Sequence, residues 1–199
     1  MTNRETMNTI FNDIIFPSLQ SLYEKDYFNI KNGVSERNIC ARLAHHMEII
    51  MCEKIDYNGY YADVECNRKN DGTGKYCESN LKVPLRMVSD LIVHKRDAEP
   101  NLLAIEMKRW DNYDKRKEDK MRLASVVSSP KPEHRDKKCI YDTKLGVFII
   151  YSPKRLEIEF YENVNGHGVK TGEMQFVCRT DRNRFLSLEE TCEIWEQLT

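Results

Sequence analysis

Long apolar runs are missing from this sequence. No stretch approaches the roughly eighteen apolar residues needed to cross a bilayer, and the opening MTNRETMNTIFND lacks the basic-then-apolar order of a signal peptide. The expectation is a chain without a membrane partner, at work in the cytoplasm. Paired cysteine motifs are missing as well. Seven cysteines, at 40, 52, 66, 77, 139, 178 and 192, are scattered, odd in number and never spaced C-x-x-C, which argues against a disulfide framework or a zinc ribbon. Reduced thiols, several packed as small apolar groups, are expected instead. His45, His46 and Cys52 do not make a ligand set, because adjacent helical side chains diverge by about 100°. There is no internal repeat or low-complexity segment. An excess of one charge is also lacking: 31 Lys and Arg face 32 Asp and Glu, a net charge of -1, so any attraction for nucleic acid must come from a local patch.

What is present is a chain of 199 residues with 40% apolar composition, enough for one sizeable core and most simply a single domain spanning 1–199. Met7, Ile10, Phe11, Ile14 and Ile15 have helical spacing, and Pro17 restarts or kinks the segment before Leu19, Leu22 and Tyr23. Ser35 is a good N-cap for a second helix with an apolar stripe of Ile39, Cys40, Leu43, Ala44, Met47, Ile50 and Met51. Glu36 in its first turn complements the helix dipole. A turn at Asn58-Gly59 precedes a strand around Tyr61 to Cys66, and residues 69 to 82 are polar, with Lys69, Lys75 and Lys82 available to a substrate. Gly72-Thr73-Gly74-Lys75 lacks the spacing and preceding strand of a phosphate-binding loop.

The stretch from Val88 to Lys108, VSDLIVHKRDAEPNLLAIEMK, holds two apolar runs around a polar turn and predicts a hairpin. Centred on Ala98, it sets Asp90 opposite Glu106, on one face with Cβ atoms about 4.5 to 5.5 Å apart. Glu106 and Lys108 project together while Ile105 and Met107 point the other way, into a core. Two carboxylates so close repel, and the pair persists most readily around a divalent cation, magnesium being favoured by oxygen ligands. The same residue types also occur at strand ends as solvated ion pairs worth little energy.

After the hairpin, residues 108 to 138 carry eleven Lys/Arg against six Asp/Glu, either a solvated face or a patch for phosphates. A helix is predicted from Arg116 to Ser128, with Met121, Ala124 and Val127, and Leu123 as a further candidate, on its apolar side and Pro130 and Pro132 ending it. Leu145 to Tyr151 reads as a strand buried on both faces. Leu156 to Glu162 is expected to pair with Glu173 to Arg179 across the Asn165-Gly166-His167-Gly168 turn, and Ser187 to Leu198 to close as a helix with a Ser187/Glu190 capping box. The order of elements implies a layered α/β domain.

This ordered set resembles the PD-(D/E)XK nuclease superfamily, the restriction-endonuclease-like fold, and is most similar to its small uncharacterised members. The resemblance rests on Ser35-Glu36-Arg37, Val64-Glu65, Asn67-Arg68, Asp90 to Arg96 and Ile105-Glu106-Met107-Lys108, within roughly residues 35 to 151. The family's Pro before the Asp is Ser89 here, and Cys66 stands where close relatives carry an aromatic. The resemblance implies a three-layer α/β domain with a central mixed sheet flanked by helices. In it the N-terminal helices (1–30) and the C-terminal hairpin and helix (153–199) are peripheral to the core. It implies Asp90 and Glu106 as metal ligands, the Met107 carbonyl as a third, Lys108 as the charge-stabilising or water-positioning residue, and Glu36 as the supporting acid. Glu65, Arg68, Arg109, Lys115, Arg116, Asp119, Lys120 and Arg122 are the implied substrate contacts. The expected activity is magnesium-dependent phosphodiester hydrolysis, with manganese able to substitute, on nucleic acid and first of all DNA. Many enzymes that cut both strands act as dimers, which leaves a homodimer open. The alternatives are a non-catalytic module binding nucleic acid or protein, and an interaction domain whose acids are surface charges.

Overall fold

The computed structural model describes residues 3–65, 76–78, 84–86, 89–95, 98–129, 143–182 and 184–191. Arg68, Lys69, Lys75, Lys82, the segment 72–75, Pro130, Pro132 and the basic residues 131–138 lie outside them, as do Cys66, Cys139 and Cys192. Helices α1 (Asn3–Ile10) and α2 (Phe16–Lys31) run on through a π turn, Phe11–Ile15. Pro17 explains the turn. A proline cannot donate to the carbonyl four residues back and its ring collides with it, and the wider turn, closed by Phe16 N–H on the Phe11 carbonyl, absorbs the mismatch. Helix α3 (Glu36–Cys52) follows, with Ser35 Oγ accepting the Asn38 N–H at 3.3 Å.

Seven strands form one sheet in the order β1 (Tyr61–Val64), β4 (Leu91–Lys95), β5 (Ala98–Arg109), β6 (Thr143–Tyr151), β7 (Arg155–Val164), β8 (His167–Asp181), β9 (Arg184–Glu190). A separate ribbon pairs β2 (Tyr76–Glu78) with β3 (Pro84–Arg86). Within the large sheet every neighbouring pair is antiparallel except β5 and β6. A parallel pair needs a crossover, and α4 (Arg116–Val127) supplies it.

Helices cover both faces, giving a mixed α/β layered domain. On one side Ile14, Ile15, Leu19, Leu22, Tyr23, Ile39 and Met47, all at 0% exposure, pack against Leu91, Val93, Leu103, Ile105 and Met107. The N-terminal helices are therefore integral to the main core, not peripheral to it. On the other side Leu123, Val126 and Val127 of α4 cover Ile92, Ala104, Phe148 and Ile150. Glycine permits the close approach at the hairpin tip: a side chain on Gly168 would collide with the Ala124 carbonyl of α4.

The expected C-terminal capping box is corrected. Ser187 and Glu190 lie on β9, and the rest of the predicted helix, 192–198, is outside the described residues. β9 fills the open edge of β8, and an irregularity in register between Arg179 and Thr180 lets Phe185 and Leu188 both turn inward despite a spacing of three. Phe185 stacks near Tyr23 and Tyr27, with centroids at 5.7 and 6.3 Å. Pairing with the adjacent β8 and burial of Phe185 and Leu188 outweigh the local capping preference. Among the described residues no helix is long and apolar enough to cross a membrane, and the described thiols Cys40, Cys52 and Cys178 are free.

Candidate functional site

The hairpin register that the sequence predicts holds over its core: Leu91 pairs with Ile105, Ile92 with Ala104 and Val93 with Leu103. One step further, Asp90 lies opposite Glu106. The turn is tighter than a centre at Ala98 requires, because the register shifts after Val93 and Lys95 pairs with Ala98. Alternation along β5 does the sorting. Ile105 and Met107 enter the main core, while Glu106, at 0% exposure, and Lys108 project towards α4.

Asp90 Oδ2 accepts the Met107 N–H at 2.8 Å. In an extended strand the N–H and C=O of one residue leave on the same edge, so the Met107 carbonyl also leaves β5 on the Asp90 side, beyond the last β4 pairing. Glu36, at the start of α3, reaches the end of β5. Its Oε1 accepts the Arg109 N–H at 2.9 Å and an Asn112 Nδ2–H at 2.8 Å, and its Oε2 lies 3.4 Å from Lys108 Nζ.

α4 closes the site from the other side. Asp119, only 1% exposed, places Oδ2 at 3.3 Å from Lys108 Nζ and takes a hydrogen bond from Arg122. Arg122 also forks onto Glu106, Nε to Oε1 at 3.0 Å and Nη2 to Oε2 at 3.3 Å. Leu123, one turn after Asp119, anchors that face, whereas Met121, expected on the apolar side, is 50% exposed. A buried acid occupies an inward position of the helix, so the apolar period misplaces its core face.

Four carboxylates thus surround two cations. Burial, then the neighbouring Asp90 charge, pushes the Glu106 carboxyl up to about 8. Burial likewise raises Asp90, although the Met107 N–H and Lys108 oppose the shift. For Lys108 burial disfavours the charge, yet Asp119, Glu36 and Asp90 together outweigh it and hold the ammonium above its ordinary range. Such a set has room for more positive charge. Among the described residues no three His, Cys, Asp or Glu form a preformed metal cage, but magnesium is commonly held by one or two carboxylates with water and substrate completing the shell.

The remaining predicted contacts divide. Glu65 donates its N–H to the Asp90 carbonyl at 3.1 Å, but its carboxylate turns away to Arg37 at 2.9 Å. Arg109 is held by Asp111 (2.5 and 2.7 Å), Lys120 by Glu159 (2.8 Å), and Arg116 by backbone carbonyls. Lys115 is exposed at the N-cap of α4 in a left-handed conformation, φ 61°. One contributor has no local signal in the sequence: Asn112 joins Glu36 only because β5 and α3 meet. His94, within the Asp90 to Arg96 stretch, is 2.9 Å from Asp63. His46 is engaged by Asp26 at 2.8 Å.

Comparison of the chain with protein-family models, curated proteins and solved structures finds no match.

Proposed function

We propose that this chain is a metal-dependent nuclease that hydrolyses phosphodiester bonds, DNA being the first substrate to examine, on a restriction-endonuclease-like α/β scaffold. The observation that carries the reading is the convergence of Asp90, just ahead of β4, on Glu106 of β5 with Lys108 beside them. Burial, and after it the Asp90 charge, raises Glu106 to about 8, and a divalent cation would relieve the part due to repulsion. Asp90, Glu106 and the Met107 carbonyl are the groups that would hold Mg2+ or Mn2+, and the bound ion polarises a phosphoryl oxygen and acidifies a water.

The other residues then have distinct tasks. Lys108, kept charged by its acidic neighbours, offsets negative charge on the phosphate. Asp119 and Glu36 aim its ammonium from two sides, at 3.3 and 3.4 Å. Arg122, released from Glu106, is a second cation for the phosphate.

One observation favours a second reading, a nucleic-acid- or protein-binding module that keeps the architecture without turnover. Arg122 already occupies both Glu106 oxygens. The deciding experiment incubates the purified protein with single-stranded and duplex DNA plus Mg2+ or Mn2+. Cleavage that disappears in Glu106→Ala and Lys108→Ala, with far-ultraviolet dichroism unchanged, supports the nuclease. Salt-sensitive DNA binding without cleavage under either cation supports the module, and cleavage surviving both substitutions sinks the site assigned here.

A further inference from the structure

Several polar groups hold the segment that joins the site to α4. The Trp110 N–H donates to the Tyr151 carbonyl at 3.0 Å and the Asn112 N–H to the Arg109 carbonyl at 3.0 Å. Arg116 donates to the carbonyls of Asn112 at 2.8 Å, Trp110 at 2.7 Å and Arg109 at 3.3 Å. Glu36 fastens the same loop from α3 through Asn112. On this rigid support stand two large aromatic side chains turned to solvent, Trp110 at 44% exposure and Tyr113 at 69%. The Arg116 guanidinium lies 4.4 Å from the Tyr113 ring centroid and orients it. Trp110 also borders an open cleft of about 290 Å³, shared with Lys31, Asn32, Arg109 and Pro153. Gly33 belongs to that rim because a side chain there would collide with the Arg109 guanidinium.

We propose that Trp110 and Tyr113 are a stacking platform for unpaired bases, so that the site takes single-stranded nucleic acid or a frayed end in preference to an intact duplex. Loops that merely connect elements do not hold exposed aromatics so firmly, whereas base stacking needs a rigid ring with a free face. Lys31 on the cleft rim and the Arg116 guanidinium over Tyr113 set positive charge beside those rings, while Arg109 is paired with Asp111 in the same cleft. Trp110 is two residues beyond Lys108, about 7 Å along a strand, close enough for a base on the platform to present its own phosphate to the site. Bases inside a duplex are already stacked on both faces and offer none to a protein.

The placement of the phosphate rests on the nuclease reading, but the stacking does not, and the test separates them. The probes are a short oligothymidylate, its abasic counterpart of equal length, and a duplex of the same sequence, titrated with Ca2+ present. Trp195→Phe leaves Trp110 as the sole indole reporter. The platform requires the oligothymidylate to quench Trp110 fluorescence and to bind about tenfold or more tighter than the abasic strand. Trp110→Ala should lose that advantage while Trp110→Phe keeps most of it, and the duplex should quench little. Equal affinity for normal and abasic strands, or no binding of either, overturns the platform, and that comparison needs no variant to fold. Base-dependent binding without cleavage under Mg2+ or Mn2+ removes the nuclease reading and leaves the platform standing.

Discussion

Arg122 and Glu106 meet as a fork on a carboxylate, at 3.0 and 3.3 Å, with Glu106 fully buried. A cation that binds Glu106 competes with this guanidinium. Arg122→Gln should therefore cost about 2 kcal/mol of stability without metal, less than the 3 to 5 of a broken buried pair because Glu106 can take up a proton. Manganese should then raise the melting temperature more in Arg122→Gln than in the unmodified protein, since no guanidinium has to be displaced. Equal manganese shifts in scanning calorimetry of the two proteins would remove Arg122 from that role.

The raised Glu106 carboxyl predicts how stability follows pH. Its folded value is about 8 against an ordinary 4.5, so the folded protein keeps a proton that the unfolded chain has already released. Stability from this group is complete below about 4.5 and is lost as pH rises through about 8. Asp90 shifts in the same direction. Without metal, the melting temperature should fall between pH 5 and pH 9, and Glu106→Gln, which mimics the protonated form, should flatten that slope. Metal binding runs the opposite way, strengthening with pH as the carboxyl ionises. A metal-free melting profile that rises over this range would contradict the assignment.

Much of this site is legible in the sequence because a hairpin is local. The apolar runs around residues 91–93 and 103–105 set the register, and a period of two assigns Glu106 and Lys108 to one face and Ile105 and Met107 to the other. α3 is legible for a similar reason, through its Ser35 cap and helical stripe. The parts supplied by α4 are not. Composition makes Asp119 one more acid in a charged run, only the family resemblance singles out Asp119 and Arg122, and the near-complete burial of Asp119 follows from α4 crossing over β5 and β6. The C-terminal strand fails for a different reason, since Ser187 and Glu190 satisfy a capping pattern while the open edge of β8, which ends at Asp181 just ahead of β9, claims them. Contacts set by crossover and edge pairing leave no periodic mark.

Glu36 links Lys108 to the aromatic loop, and removing it should affect both. Its Oε1 satisfies the Arg109 N–H and Asn112 together. Glu36→Ala leaves the N–H without its acceptor and should cost about 1 to 3 kcal/mol. Glu36→Gln keeps an acceptor oxygen and should cost clearly less, yet it withdraws one of the two carboxylates that hold Lys108. Under the proposed function both variants lose cleavage, but only the alanine variant loses much stability in urea titration. Loss of cleavage in Glu36→Ala alone would mean that Glu36 supports the loop and not the lysine.

A separate prediction concerns the joint between α2 and α3, where the backbone of α2 departs from helical geometry at Asp26 (φ -116°, ψ 15°). The buried Asp26 carboxylate faces His46 Nε2 at 2.8 Å and Arg42 Nε at 2.9 Å on α3, with Asn29 Nδ2 at 3.2 Å. Burial opposes its ionisation, but the bonds from His46 and Arg42 outweigh burial and hold the carboxyl below its usual range. Its stabilising effect is therefore present above the unfolded carboxyl's pKa and is lost as pH falls through the lower folded value. Asp26→Ala strips the buried His46 and the part-exposed Arg42 of their acceptor and should cost about 3 kcal/mol, whereas Asp26→Asn keeps one acceptor oxygen and should cost less. The joint lies on the face of the sheet opposite α4, so neither variant should change the manganese-induced melting shift once their lower baseline is subtracted. A manganese shift that vanishes in Asp26→Asn would mean that this joint, and not only the strand pair, sets the geometry of Glu36 and Lys108.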